Sequence, residues 1–156
     1  MNILDQLHVV PGLYPVADFM AGGVSTDIVR CQSAVGVRFL IFRGNATGGT
    51  ATGVVTVSAC DTVGPGTATA VEFQYRISTT PDIWGAWTQA LAAGFTMTAG
   101  DNQIYDVFVP AANCAALGFG YCRLNITEPV NDPQDGCVLI EVVQPRYQPV
   151  PATLLT

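Results

Sequence analysis

Apolar and polar residues alternate with a period of two in several short segments of this chain. The clearest segment is "TAVEFQYRIS", residues 69–78. Its apolar side chains share one face of an extended strand: Val71, Phe73, Tyr75 and Ile77. Its polar side chains share the other: Glu72, Gln74 and Arg76. Such alternation predicts a strand with one face packed on a core and the other in water.

The same pattern recurs between loops rich in Gly, Pro, Asn, Asp and Thr. In "FGYCRLNITE", Cys122, Leu124 and Ile126 alternate with polar residues, which predicts another half-buried strand. The remaining predicted strands cover residues 24–32, 36–43, 54–60, 86–90, 94–98, 104–109 and 137–143. One short helix is predicted at residues 110–118, between Pro110 and a C-terminal Gly118.

Strands that follow one another at short spacing, without crossover helices, predict an antiparallel β-sandwich of the Greek-key or jelly-roll kind. The sandwich domain is expected over residues 23–144. Residues 1–22 and 145–156 lack the strand pattern and are expected to be extended arms. Pro145, Pro149 and Pro151 exclude helix and remove sheet donors from the second arm.

The charge balance restricts the partners. Six arginines, no lysine and twelve acids give a net charge of -6, so a nucleic acid is not the expected partner. The longest apolar runs, "VRFLIF" and "CVLIEVV", are too short to cross a bilayer, and no membrane partner is expected. The start of the chain, "MNILDQLHVVPG", lacks the features of a secretion signal, which favours synthesis in a reducing cytoplasm.

No residue pattern indicates an active site or a metal site. The five cysteines are odd in number and have no CxxC spacing, so they are interpreted as small core residues. The single histidine, His8, has no evident orienting partner. Carboxylate oxygens of the kind that bind calcium are present in Glu128, Asp132 and Asp135, but the spacing of these residues favours an ordinary turn. The chain is therefore not expected to be an enzyme or to need a cofactor.

Trp84 and Trp87, in "PDIWGAWTQ", offer the best indication of carbohydrate binding because indole rings stack on sugars. The commoner arrangement in a sandwich has one ring in the core and the other at a loop or interface. That arrangement is the expectation here.

Three segments resemble a known class of protein: "VVTVSACDTVGPGTATAVEFQYRIS", "GFTMTAGDNQIYDVFVP" and "GYCRLNITEPVNDPQDGCVLIEVVQPRY". Together they are similar to small β-sandwich virion proteins of tailed bacteriophages that decorate or cement the capsid. The resemblance covers roughly residues 35–147. It implies a protein of the capsid surface that binds the major capsid protein and forms a homo-trimer.

Apolar arms suit such a role, because a segment that cannot join its own sheet can lie across a neighbouring subunit. The predicted interface residues in the N-terminal segment are Leu7, Val9, Val10, Leu13 and Tyr14. Those in the C-terminal segment are Arg146, Tyr147, Val150, Leu154 and Leu155. Gln74 and Arg76, on the polar face of their strand, are further interface candidates.

Three alternatives remain open at this point. Both termini can instead fold back and cap their own sandwich. The same fold can serve a neck or tail position in the virion. A carbohydrate-binding or adhesion module is the third, and it rests on the two tryptophans.

Overall fold

A computed structural model describes residues 7–80, 83–130 and 132–143. The chain folds into two antiparallel β-sheets that pack face to face, which confirms the predicted all-β sandwich. The predicted C-terminal arm, residues 145–156, lies outside the described residues, and so do the interface predictions within it: Arg146, Tyr147, Val150, Leu154 and Leu155.

The first sheet has six strands in the order β1-β12-β4-β10-β7-β8. Every neighbouring pair is antiparallel. Only β7 and β8 are adjacent both in the sheet and along the chain. The strand bounds are Leu7–Val16 for β1, Gly36–Ala46 for β4, Phe73–Ser78 for β7, Thr88–Ala90 for β8, Gln103–Pro110 for β10 and Gln134–Val143 for β12.

The second sheet is built on two long central strands, β5 and β11, which pair with each other. Short strands pair with their outer edges, β2 and β3 with β11, and β6 and β9 with β5. The bounds are Val24–Ser25 for β2, Val29–Arg30 for β3, Thr52–Cys60 for β5, Ala68–Val71 for β6, Phe95–Thr96 for β9 and Tyr121–Val130 for β11. The single strand predicted over residues 24–32 is thus two short pieces.

The core lies between the inner faces of the sheets, where the alternating apolar residues meet. Fully buried side chains come from both sheets, and they include Phe39, Ile41, Val57, Leu124 and Ile140. Phe95 of β9 stacks on Tyr75 of β7 at a centroid distance of 3.8 Å, which joins the sheets at one end of the core. The period-two pattern in the sequence therefore identified the inner faces correctly.

The segment 69–78 departs from its prediction as one strand. It breaks at Glu72, so that β6 belongs to the second sheet and β7 to the first. The chain crosses from one sheet to the other at this point, as strands do at the corners of sandwiches. The apolar side chains on both sides of this crossing are still buried as predicted, since Val71 and Phe73 both lie in the core.

The N-terminal segment also differs from its prediction. Residues 7–16 of the predicted arm 1–22 form β1, the edge strand of the first sheet, which pairs with β12 from Leu7 opposite Val143 to Val16 opposite Gly136. Register shifts on either side of Leu13 break the period-two pattern. Pro11 and Pro15 are tolerated because an edge strand has one unpaired side.

The only helix in the described ranges is α1, Ala111–Ala115, within the predicted segment 110–118. Gly118 has a φ of +78° and follows the helix, as predicted for a C-terminal cap. The Phe119 amide then donates to the Cys114 carbonyl at 3.1 Å. Nothing helical in the described part of the chain has the length and apolar character that crossing a membrane requires.

Candidate functional site

The outer face of the first sheet is unusually apolar. Inward-pointing residues of β4, β10 and β12 are buried in the core, and the residues that alternate with them lie on the opposite face. We call this surface the apolar face and define it by Leu7, Val9, Leu40, Phe42, Ile104, Phe108, Cys137 and Leu139. Polar residues normally occupy the outer face of such a sheet.

The strand register aligns these side chains in rows across the sheet. Cys137, Phe42 and Ile104 form one row on β12, β4 and β10. Pro11, Leu139 and Leu40 form a neighbouring row. Because directly opposed residues share a face, these two rows form one apolar strip, and the charged Glu141 and Arg38 lie in the next row, between Val9 and Phe108. Continuous apolar surface is typical of binding sites.

A groove borders this surface where β1 leaves the sheet. Its volume is about 540 Å³, and its walls include Val16, Phe42, Gly44, Asp135 and Cys137. Gly44 contributes to the opening, since a Cβ there would meet the Asp135 side chain at 3.1 Å. The groove is shallow and open to solvent, with a largely apolar lining, at the edge of the apolar face.

A charge-balanced cluster sits within the apolar face. The Asp106 side chain is fully buried and accepts hydrogen bonds from Arg38 Nε at 2.7 Å and Arg76 Nε at 2.8 Å. Arg38 Nη1 also donates to Glu141 at 2.9 Å. Hydrogen bonding to Asp106 raises the pKa of Arg38. The positive charges of the two arginines cancel the negative charges of the two carboxylates, so the cluster adds no net charge to the apolar face.

The two tryptophans enclose one of these arginines. The guanidinium carbon of Arg76 lies 4.5 Å from the ring centroids of both Trp84 and Trp87. Trp87 is 45% exposed and Trp84 is half-buried, so neither ring belongs to the core. The expectation of one core ring was wrong, because the cation–π contacts hold both rings on the outer side of the sheet.

The predicted interface residues in the described ranges divide into two groups. Leu7, Val9 and Tyr14 are exposed on β1. Val10 is buried, and Leu13 packs against the core, so these two residues serve the protein's own sandwich. The prediction was wrong for Val10, because pairing with β12 turns it into the core. For Leu13, which is half-buried and also lines a surface pocket, the interface role stays a prediction.

Asp132 and Glu128, two of the acidic residues considered as calcium ligands, form hydrogen bonds with different parts of the chain. Asp132 accepts hydrogen bonds from the backbone amides of Thr50 and Gly48, at 2.7 Å and 2.6 Å. These bonds lower the pKa of Asp132. Glu128 instead accepts a bond from the Gly22 amide at 3.2 Å. Asp132 thus stabilises the loop between β4 and β5 through hydrogen bonds. This agrees with the interpretation that these acidic residues belong to an ordinary turn and not to a calcium site.

Three of the five cysteines meet inside the protein. The Sγ atoms of Cys31, Cys114 and Cys122 all lie within 4.8 Å of one another. The three thiols are coupled: the nearby Cys122 and Cys31 thiols lower the pKa of Cys114, and the nearby Cys114 thiol raises the pKa of Cys31 and of Cys122. The prediction of buried cysteines is confirmed for four of them, while Cys137 is half-buried. The grouping itself was missed because 82 residues separate Cys31 from Cys114 along the chain.

Comparison of the chain with protein-family models, curated proteins and solved structures gives no match. Function is therefore inferred from the geometry of the described residues and from the sequence resemblance.

Proposed function

We propose that this protein is a structural component of a tailed-bacteriophage virion. It decorates and stabilises the capsid by binding the major capsid protein, and it does so as a homo-trimer. The apolar face is the observation that carries this proposal. The resemblance of three sequence segments to capsid decoration proteins is the reason for proposing a capsid as the assembly.

The physical reason is the cost of leaving this surface in water. Burial of apolar surface contributes about 25 cal/mol for each Å² removed from water. The side chains of a row such as Cys137, Phe42 and Ile104 are half-buried, and they gain further stabilisation of this kind when another surface covers them. The charge-balanced cluster around Asp106 supports docking as well, because its ions are already paired before a partner arrives.

We assign two kinds of contact to the two parts of this surface. The groove beside Phe42 and Cys137 receives the C-terminal segment of a neighbouring copy, with Val150, Leu154 and Leu155 as its apolar side chains. The exposed side chains of β1, Leu7, Val9 and Tyr14, face the capsid shell. A segment with three prolines loses less conformational entropy on docking than a more flexible one does.

The substitution Phe42→Arg tests the apolar face. It places a charge in the central row and in the groove wall, so the trimer is expected to dissociate to monomers in sedimentation-velocity measurements. Leu117→Lys is the matched control, since Leu117 is 44% exposed, follows α1 and lies outside the apolar face. A wild-type protein that sediments as a monomer, or a Phe42→Arg variant that remains a trimer, would contradict the proposal.

Electron cryo-microscopy of virions tests the location. Density for the sandwich on the outer surface of the shell is the expected result. Density confined to a ring at the neck, or copies along the tail, would instead favour the neck or tail role. Glycan binding that is lost in Trp84→Ala would favour the carbohydrate-binding alternative, although the ring faces that contact Arg76 are already occupied.

A further inference from the structure

The three-cysteine cluster has the composition of a soft-metal site. Cys31, Cys114 and Cys122 have relative exposures of 1%, 0% and 0%, and their sulfurs lie within 4.8 Å of one another. With a metal–sulfur distance of about 2.3 Å, three thiolates around one ion lie about 4 Å apart. Only a small contraction of the cluster is needed to bring all three sulfurs to one ion.

The backbone around each cysteine is fixed by separate contacts. The amide of Cys31 donates to the Gly120 carbonyl at 2.9 Å. Cys114 lies in α1, and its carbonyl accepts the Phe119 amide at 3.1 Å. Cys122 lies in β11, opposite Val29 and Ala59. Three different elements thus hold the sulfurs together without any metal–ligand bond, which is a preorganised arrangement.

We propose that Cys31, Cys114 and Cys122 bind one thiolate-seeking d¹⁰ metal ion, of the class of Cd²⁺ and Cu⁺, in a three-coordinate site. Soft thiolate ligands select ions of this class. Each thiol that ligates the ion gives up its proton to solvent, so binding weakens as the pH falls. The bound ion links β11, α1 and the end of β3 and stabilises the sandwich. This site is independent of the apolar face.

Cadmium titration of the reduced, full-length protein tests the site. One Cd²⁺ per chain is expected, with the ultraviolet charge-transfer absorption of cadmium thiolate and a rise in the thermal midpoint. Cys114→Ala is the first variant, because alanine is the best helix former and α1 is already rich in alanine. Its Cd²⁺ affinity is expected to fall at least about tenfold, the loss that follows removal even of an outer-shell partner.

Two controls separate ligation from the loss of a buried thiol. Cys60→Ala removes a fully buried thiol outside the cluster, and Cys137→Ser removes the half-buried one. Both variants are expected to keep the absorption and its stoichiometry, whereas Cys31→Ala is expected to lose them as Cys114→Ala does. Equal loss in Cys60→Ala, unchanged binding in Cys114→Ala, or a disulfide within the cluster in protein isolated under reducing conditions would overturn the proposal.

Discussion

At the scale of single residues, Arg43 shows how a charge can stabilise the inside of this sandwich. The side chain is 3% exposed and has no carboxylate within ion-pair distance among the described residues. Its guanidinium donates to Gln134 and Gln103 side chains and to the Ala51 and Thr98 carbonyls, at 2.6 to 2.8 Å. Burial lowers the pKa of Arg43. The arginine thus satisfies acceptors on several loops at one end of the sandwich.

Arg43→Met is expected to lower the free energy of unfolding by at least about 3 kcal/mol, because it leaves several buried acceptors without donors. Urea denaturation measures this change. Arg30→Met is the matched control, since Arg30 is exposed and, within the described ranges, its side chain bonds to Gln32 alone; a change within about 0.5 kcal/mol is expected there. Equal losses in the two variants would show that the buried network contributes little.

At the scale of elements, β1 contributes side chains both to the core and to the apolar face. Its pairing with β12 alternates its side chains between the two sides of the first sheet. Val10 opposite Ile140 is buried, whereas Val9 opposite Glu141 is 53% exposed. Adjacent valines in one strand therefore have different roles.

Val10→Ala is expected to destabilise the fold by about 2 kcal/mol, through lost burial and the cavity that remains. Val9→Ala is expected to leave stability nearly unchanged and to weaken capsid binding. Thermal unfolding together with a shell-binding assay separates the two effects. If Val10→Ala has no effect on stability, β1 is not an integral strand of the sandwich.

At the scale of the whole molecule, the outer face of the first sheet carries a half-buried apolar strip, and further exposed apolar side chains, Ile83, Leu91 and Leu117 among them, lie elsewhere on the described surface. Only 12% of the residues are charged, so much of the polar character of the chain comes from uncharged Thr, Ser and Asn side chains, beside a net charge of -6. A surface of this kind is stable as part of an assembly, where the apolar face is covered.

If the proposed trimer forms, deletion of residues 145–156 is expected to dissociate it while shifting the thermal midpoint of the monomer by less than about 3 °C, a change near 1 kcal/mol for a chain of this size. Sedimentation and calorimetry on the same samples measure both quantities. A large fall in the midpoint would show that this segment completes its own sandwich, as in the alternative where the termini cap the fold.

Much of the fold could be predicted because strand pattern is local. The alternation around Phe73 and Leu124 identified buried faces, and Pro110 and Gly118 marked the short helix. The sequence missed β1, whose alternation is interrupted by register shifts near Leu13, and it missed the sheet crossing at Glu72. Both depend on which strand pairs with which, a long-range property.

By itself, the sequence determined the all-β class, the inner faces of the strands and the low charge, since these follow from residue type and period-two spacing. The apolar face and the three-cysteine cluster, in contrast, could be recognised only in the tertiary structure. Phe42 meets Cys137 and Ile104 through strand register, and Cys31 meets Cys114 and Cys122 through packing between distant segments. Side chains far apart along the chain become neighbours only after the two sheets have paired and closed on each other.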